Sequence, residues 1–200
     1  LLVFHMATPI SVFWFRRDLR LNDNVGLDAA LQSGKPVLCV FIFDKNILSD
    51  LSKDDARVTF IYQKLKGIDE VLRRHNSALY TLHDEPQQAW ERLSGAYNIA
   101  EVYTNRDYEP YAIKRDKKIA NWLKNNGTEF KTFKDQVIFE KDEVVKADGL
   151  PYTVYTPYKN KWLSEFTRFE TKTKRPTSLQ YMFHHQLEFP TLEELGFEKS

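Results

Sequence analysis

The sequence predicts an α/β domain built on a doubly wound, five-stranded parallel sheet, with Rossmann-like or flavodoxin-like layers and a long C-terminal linker. From Ile10 onward, short β-branched or aromatic runs alternate with longer segments of helical period, which is typical of parallel βαβ units. The 200 residues, 42% of them hydrophobic, suffice for one well-buried domain but not for two of full size. After about Gln136 the alternation stops.

Hydrophobic periodicity predicts five strands and four helices in alternating order. The strands are expected at residues 10–15, 37–43, 79–83, 100–104 and 129–133. Between the second and third strands, apolar residues recur at helical spacing over residues 58–72, on one face of a helix. A shorter helix is capped by Asp23 or Asn24, another follows Pro86, and a fourth ends at residues 125–127.

Beyond Gln136 the chain consists of turn-prone and aromatic pieces, which indicate a linker rather than a second core. We therefore expect an α/β domain at residues 8–135 and a linker at residues 136–200. Between Pro157 and Pro176, six basic side chains against two acidic ones give a local charge of +4: Lys159, Lys161, Arg168, Lys172, Lys174 and Arg175 against Glu165 and Glu170. A solvated connecting segment and a phosphate-facing edge both fit this patch.

Composition excludes several classes of protein. The 29 Lys and Arg residues nearly balance the 28 Asp and Glu residues, so no global positive field steers the chain toward nucleic acid. The single cysteine, Cys39, excludes a disulfide framework, indicates a reducing cytoplasmic location, and is expected to be buried in its apolar run. No stretch approaches the roughly 20 apolar residues that span a bilayer. Residues 1–5 precede Met6, and we do not assign them to the predicted domain.

Ligands of a doubly wound sheet collect at the carboxyl ends of its strands, where the strand order reverses. Charged residues follow the first, second and fourth predicted strands, at residues 16–20, 44 and 105–109. The first strand-to-helix turn contains Gly26 alone, without a G-x-G-x-x-G pattern or a Walker lysine, so ordinary NAD or ATP binding is not expected. Carboxylates and guanidinium groups would instead hold a ring system with polar edges.

Metal and nucleophilic sites find no support in the sequence. His184 and His185 are adjacent rather than at ligand spacing, so no metal site is predicted. There is no G-x-S-x-G elbow, and Cys39 lies inside a predicted strand. His75 and His83 are interpreted as helix-end and strand-end residues. We therefore predict no catalytic residue in these 200 residues.

The stretch from Val12 to Asn24, VFWFRRDLRLNDN, closely resembles the opening strand and turn of the photolyase/cryptochrome family. Further matches follow in order at residues 41–48, 55–58, 105–116 and 152–162. Because they extend across most of the chain in the same order, the chain is identified as a member of that family.

This resemblance implies a two-part protein, in which an N-terminal α/β domain binds a light-harvesting antenna chromophore and a linker leads to a helical domain that binds FAD. In the whole protein the antenna would pass excitation to reduced FAD. FAD would then donate an electron that splits a cyclobutane pyrimidine dimer in damaged DNA, the activity of a deoxyribodipyrimidine photolyase. We expect these 200 residues alone to be monomeric and inactive in repair.

The resemblance also indicates the type of antenna. Family members with a deazaflavin or FMN-type antenna hold it with residues that fall on Asp44, Arg57, Asp107 and Glu109, and Arg16 completes the expected pocket. Members that use folate carry an Asn-Glu pair where this chain has Tyr111 and Ala112, which disfavours folate. A structural alternative is that Asp44 and Arg57 only pair with each other at the surface.

Two functions compete with light-driven repair. One is cryptochrome-type signalling, in which the same fold senses blue light and binds protein partners. The other is a standalone ligand-binding domain of the electron-transfer-flavoprotein type, which the family-like linker past Trp162 disfavours.

Overall fold

The computed structural model describes residues 8–168 and 178–200, and its centre is one parallel sheet. The five strands are β1 (Ile10–Phe15), β2 (Val37–Asp44), β3 (Tyr80–Asp84), β4 (Ile99–Asn105) and β5 (Glu129–Phe133). Their spatial order is β3-β2-β1-β4-β5, and every neighbouring pair is parallel. The direction of winding therefore reverses between β1 and β4. This confirms the predicted doubly wound sheet, with strand bounds within one residue of those expected.

Six α-helices accompany the sheet in the part of the chain that the structure describes. They are α1 (Val25–Leu31), α2 (Lys45–Leu48), α3 (Ala56–Arg73), α4 (Pro86–Ala96), α5 (Pro110–Asn125) and α6 (Tyr155–Phe166). The four predicted helices correspond to α1, α3, α4 and α5. The sequence missed α2 because it is a single turn, and it missed α6 because no residue of that helix is buried, so there is no apolar face to detect.

The alternation of side chains along β1 divides the core into two layers. Phe13 and Phe15 face α1 and α3, whereas Val12 and Trp14 face α4 and α5. On the second side, the ring of Trp14 meets that of Trp90 edge to face at 5.5 Å between centroids. Helices thus cover both faces, as a buried parallel sheet requires.

Residues beyond Gln136 contribute to the first layer of the core, which the sequence did not predict. Met182, Leu195 and Phe197 are buried there, and the N–H of Phe183 donates to the carbonyl of Val37 at 2.8 Å. The edge of β2 is free at Val37 because β3 begins to pair only at Val40. These apolar residues lie within residues 178–200, where the structure has no α-helix or β-strand, so they form no periodic hydrophobic pattern. Their packing therefore cannot be predicted from the sequence pattern. The division at residue 135 stays a prediction.

The remaining expectations concern single residues and the membrane. Cys39 is fully buried, as predicted, and burial raises the pKa of its thiol. In the basic patch, Lys161 pairs with Glu165 at 2.7 Å, whereas Lys172, Lys174 and Arg175 lie outside the described residues. No helix in the described ranges is long and apolar enough to cross a membrane.

Candidate ligand site at the carboxyl end of the sheet

A cavity of about 360 Å³ opens at the carboxyl ends of β1 and β2. The first turns of α3 and α5 flank it, and α2 lies beside it. Its walls are mainly apolar and its rim carries charge. The apolar lining residues are Trp14, Phe15, Phe41, Ile42, Phe43, Ile47, Leu48, Val58, Ile61 and Ala112. The polar lining residues are Arg16, Arg17, Asp44, Asp107, Glu109, Tyr111 and Arg115. This size and this mixture of walls and polar groups are typical of small-molecule sites.

The switch point itself, between β1 and β4, is filled by a buried polar network. The side-chain amide of Asn105 donates to Asp18 at 2.5 Å and to the Asn24 side-chain oxygen at 2.8 Å. Its oxygen accepts from the N–H of Gly26 at 2.9 Å. A Cβ at Gly26 would lie only 2.7 Å from that oxygen and 2.9 Å from Phe13. The crevice therefore has no room for a pyrophosphate.

The N–H groups that open α1 are also occupied. Val25 donates to Asp135 at 3.0 Å, and Leu27 donates to Asn24, which caps the helix, at 3.1 Å. Because the donors that bind phosphate in a dinucleotide fold are already satisfied by side chains, the structure agrees with the absence of a glycine-rich cradle. The ligand site is displaced to β1 and β2.

Asp44 is the predicted carboxylate at the end of β2, and it is almost fully buried. One oxygen accepts from the N–H of Asn46 at 3.0 Å, which caps α2, and the other accepts from the Tyr111 hydroxyl at 2.6 Å. Burial raises the pKa of Tyr111 to about 12, with the hydrogen bond to Asp44 as the second cause. Tyr111 thereby joins the start of α5 to the end of β2 across the cavity.

Asp107 and Glu109 lie on the opposite rim, in the loop between β4 and α5. Both face Arg17, whose guanidinium is 3.6 Å from Asp107 and 3.3 Å from Glu109. Asp107 is the buried member, since 7% of its side chain is exposed against 65% for Glu109. The rim thus has one sheltered and one solvated carboxylate, which share one exposed guanidinium.

Arg16 forms part of the cavity floor rather than its rim. Its guanidinium donates to Asp116 and to the carbonyl of Asn105. Burial lowers the pKa of Arg16, and the carboxylate of Asp116 opposes that effect. Arg115 shares Asp116 with it at 3.0 Å. Two buried cations therefore share one carboxylate beneath the cavity.

Arg57 is the one predicted site residue that does not line the cavity. It lies in the first turn of α3, and its exposed guanidinium turns toward Asp55, with Nη2 at 2.6 Å and Nε at 3.0 Å from the carboxylate. The alternative pairing of Asp44 with Arg57 is absent, because Tyr111 and the α2 backbone take the oxygens of Asp44. The structure brings together Arg16, Asp44, Asp107 and Glu109, and it leaves Arg57 outside.

Sequence reasoning gave no role in this site to Arg115 or Trp14, and it named Tyr111 only as a residue that disfavours folate. Tyr111 and Arg115 are one helical turn apart at the start of α5, so they share a face that points to the carboxyl end of the sheet. The position of Pro110, which favours a helix start, was the available signal. Trp14 belongs to the buried strand β1, so its position in the sequence indicates a core residue and gives no sign that it also lines a cavity.

None of the histidines that the structure describes lines the cavity. A ring nitrogen of His185 lies 2.9 Å from the carbonyl of Ala78, and burial lowers the pKa of this histidine. Within residues 8–168 and 178–200, no three His, Cys, Asp or Glu side chains are grouped so as to hold a metal ion.

Comparison with known sequences assigns a family. A family model described as DNA photolyase matches residues 11–178. The deoxyribodipyrimidine photo-lyase of Synechococcus sp. (strain ATCC 27144 / PCC 6301 / SAUG 1402/1) is 34% identical over 202 residues, which cover 96% of this chain and 41% of the photo-lyase. Cryptochrome-2 of Gallus gallus is 28% identical over 200 residues, which cover 94% of this chain and 34% of the cryptochrome. The chain spans less than half the length of these two relatives.

Solved structures give the same picture. The archaeal photolyase from Sulfolobus tokodaii, described with two FAD molecules that imply a novel light-harvesting cofactor, superimposes with a TM-score of 0.69 at 28% identity, over 92% of this chain and 40% of that one. A class III photolyase from Agrobacterium tumefaciens gives 0.73 at 25% identity, over 98% and 39%. The cryptochrome of Synechocystis sp. PCC6803 gives 0.76 at 20% identity, over 96% and 41%, which shows the fold alone.

Proposed function

The chain belongs to the DNA photolyase family, and on that premise we propose that its cavity binds a light-harvesting antenna chromophore of the deazaflavin or FMN type. The observation that carries the proposal is the cavity of about 360 Å³, in which apolar walls meet Asp44, Asp107, Glu109 and Arg16 at the carboxyl end of the sheet. A flat ring system with polar edges needs that combination.

The chemistry of the donors fits such a ligand. Asp44 and Asp107 are sheltered carboxylates, able to accept hydrogen bonds from ring N–H or ribityl O–H groups. Each carboxylate oxygen of Asp44 accepts one hydrogen bond from within the protein. Because a carboxylate oxygen can accept two, each can also accept one from a ligand. The phenyl rings of Phe41 and Phe43 supply apolar wall. These residues would hold and orient the chromophore, and the chromophore would supply the absorption of light.

Folate is disfavoured by the residues at the start of α5. Tyr111 and Ala112 stand where folate-binding members carry an Asn-Glu pair, and both line the cavity. The Tyr111 hydroxyl is committed to Asp44. The wall therefore offers a phenol and a methyl group where a pterin would need an amide and a carboxylate.

We propose further that in a longer protein this domain feeds excitation to FAD for light-driven repair of cyclobutane pyrimidine dimers in damaged DNA. FAD is named for the archaeal photolyase, and the photo-lyase relative is 34% identical against 28% for the cryptochrome. Blue-light signalling of the cryptochrome type is the second candidate, because cryptochromes match the same share of the chain. A cytoplasmic location and a monomeric state remain predictions of the same proposal.

Asp107→Ala tests the chromophore site. We expect FMN and deazaflavin affinity to fall by about 1–3 kcal/mol, because a charge-assisted hydrogen bond is lost. The measurement is a titration that follows quenching of the ligand's own fluorescence, with methenyl-folate as the comparison ligand. Asp142→Ala, an exposed carboxylate away from the cavity, is the matched control. Tight folate binding with no flavin binding would contradict the assignment.

Arg57→Ala tests the predicted residue that stands outside the cavity. Arg57 does not line the cavity, and its exposed guanidinium must leave Asp55 before it can reach a ligand. We therefore expect a smaller loss of flavin affinity than for Asp107→Ala in the same titration. A loss as large as that of Asp107→Ala would place Arg57 directly on the ligand, and no loss would remove it from the site.

A further inference from the structure

Two side chains of the cavity wall can give up an electron to a light-excited ligand, and both lie against the same guanidinium group. Three of the five aromatic rings that line the cavity are phenyl rings, which are hard to oxidise: Phe15, Phe41 and Phe43. The other two are the indole of Trp14 and the phenol of Tyr111. The guanidinium carbon of Arg115 lies 4.9 Å from the centre of the Trp14 ring and 5.8 Å from that of Tyr111.

A second guanidinium lies near the indole. The guanidinium carbon of Arg16 is 5.2 Å from the centre of the Trp14 ring. Only 6% of the Arg16 side chain and 9% of the Arg115 side chain are exposed, and Asp116 is the one carboxylate that both contact. Guanidinium groups stay protonated in proteins. The indole therefore lies within about 5 Å of two cations, whereas the nearby carboxylates of Asp116 and Asp18 contact the arginines and not the ring. Little water screens these charges.

These contacts matter because flavin-type chromophores in the excited state readily accept an electron from a nearby indole or phenol. One electron leaves the ring, which becomes a radical cation, and the excited chromophore is reduced by that electron. The electron then returns to the ring, and the excitation is lost as heat. A positive charge about 5 Å from the ring opposes the first step, because it repels the radical cation. An antenna serves only if its excitation survives this competing reaction.

Resting on the proposed function, we propose that Arg115, together with Arg16, protects the excited state of the bound antenna by making Trp14 and Tyr111 hard to oxidise. Arg115 is thus a tuning residue of the site, in addition to its ion pair with Asp116. The protection is stronger for Trp14, which has a cation near its ring from each arginine. Tyr111 has one such contact, and its hydrogen bond to Asp44 offers a base for the phenol proton, which favours oxidation.

The test is the fluorescence lifetime of FMN bound to the intact chain. Arg115→Met removes the charge and keeps much of the side-chain volume, and we expect the lifetime of bound FMN to fall several-fold. Arg115→Lys keeps a cation and should retain most of the wild-type lifetime. Adding Trp14→Phe to Arg115→Met should restore part of the lifetime, and adding Tyr111→Phe as well should restore the rest, because both electron donors are then gone. Fluorescence polarisation measures the bound fraction of every variant first.

One further variant decides the matter even if Arg115→Met fails to fold. In the wild-type background, Trp14→Phe should leave the lifetime of bound FMN nearly unchanged, since two cations already suppress this donor. A marked lengthening by Trp14→Phe, or an unchanged lifetime in folded Arg115→Met, overturns the inference while the binding site stands. If polarisation shows that neither FMN nor a deazaflavin binds the wild-type chain, the proposed function falls and this inference falls with it.

Discussion

Two regions at the carboxyl edge of the sheet have opposite designs. The switch point between β1 and β4, where a doubly wound fold usually binds its ligand, is filled by Asp18, Asn24 and Asn105, which satisfy one another in a buried network. One strand away, at β1 and β2, the edge opens into a cavity with apolar walls. The fold supplies the edge, and the side chains decide which part of it stays open.

This difference predicts that the two regions fail in different ways. Substitutions in the filled switch point should lower the stability of the fold, because each buried polar atom there depends on the others. Substitutions in the cavity should lower ligand affinity, because its polar groups line the space that the ligand would occupy. The predictions below test that division in order of decreasing effect.

Asn105→Leu should produce the largest loss of stability. It leaves the N–H of Gly26 without its side-chain partner and removes one hydrogen bond each from Asp18 and Asn24. We expect the free energy of unfolding to fall by about 3–5 kcal/mol. Urea unfolding followed by circular dichroism measures the change. Asn121→Leu, at an exposed position of α5, is the matched control and should stay within about 0.5 kcal/mol of wild type. Equal stability of the two variants would show that the network is dispensable.

Asp44→Asn should lower flavin affinity more than it lowers the stability of the fold. An amide oxygen can still accept one of the bonds from Tyr111 and Asn46, so the stability loss should be about 1 kcal/mol or less. Flavin affinity should fall by more than that, because the charge that strengthens the bond to the ligand is lost. Asp50→Asn, an exposed aspartate, controls for the change of charge. A stability loss equal to that of Asn105→Leu would erase the distinction between the two regions.

The smallest effect concerns the ionisation of Tyr111. Its pKa is raised to about 12, against about 10 for an unperturbed tyrosine. Because the folded pKa is the higher one, the contribution of the Asp44 contact to stability is fully present below pH 10 and is lost as the pH rises from 10 to 12. The pKa of Tyr108 is raised too, so absorbance titration of tyrosinate should show a late step whose amplitude Tyr111→Phe lowers by one tyrosine and part of which Asp44→Asn moves toward lower pH. An unchanged amplitude in Tyr111→Phe would contradict the raised pKa of Tyr111.

The sequence predicted the framework better than the site. β1 to β5 and the helices α1, α3, α4 and α5 follow from apolar periodicity, which burial on two faces of a sheet imposes. Four of the proposed site residues fall together because the carboxyl ends of parallel strands share one edge. Arg57 falls outside, because its orientation depends on a local bond to Asp55 that spacing does not reveal. Tyr111 and Arg115 were missed as site residues for the same reason, since their roles arise from rotamers and distant partners.

The return of residues 178–200 to the sheet has a consequence for biosynthesis. Phe197 and Met182 complete the core layer beside α1 and α3, yet they leave the ribosome long after β5. At about 5–20 residues per second, residue 197 is added roughly 3 to 12 seconds after residue 135. During that interval the nascent α/β unit exposes the Val37 end of β2 and part of an apolar layer, a surface that chaperones recognise. The moment at which this core layer can be completed is therefore set by residues 178–200.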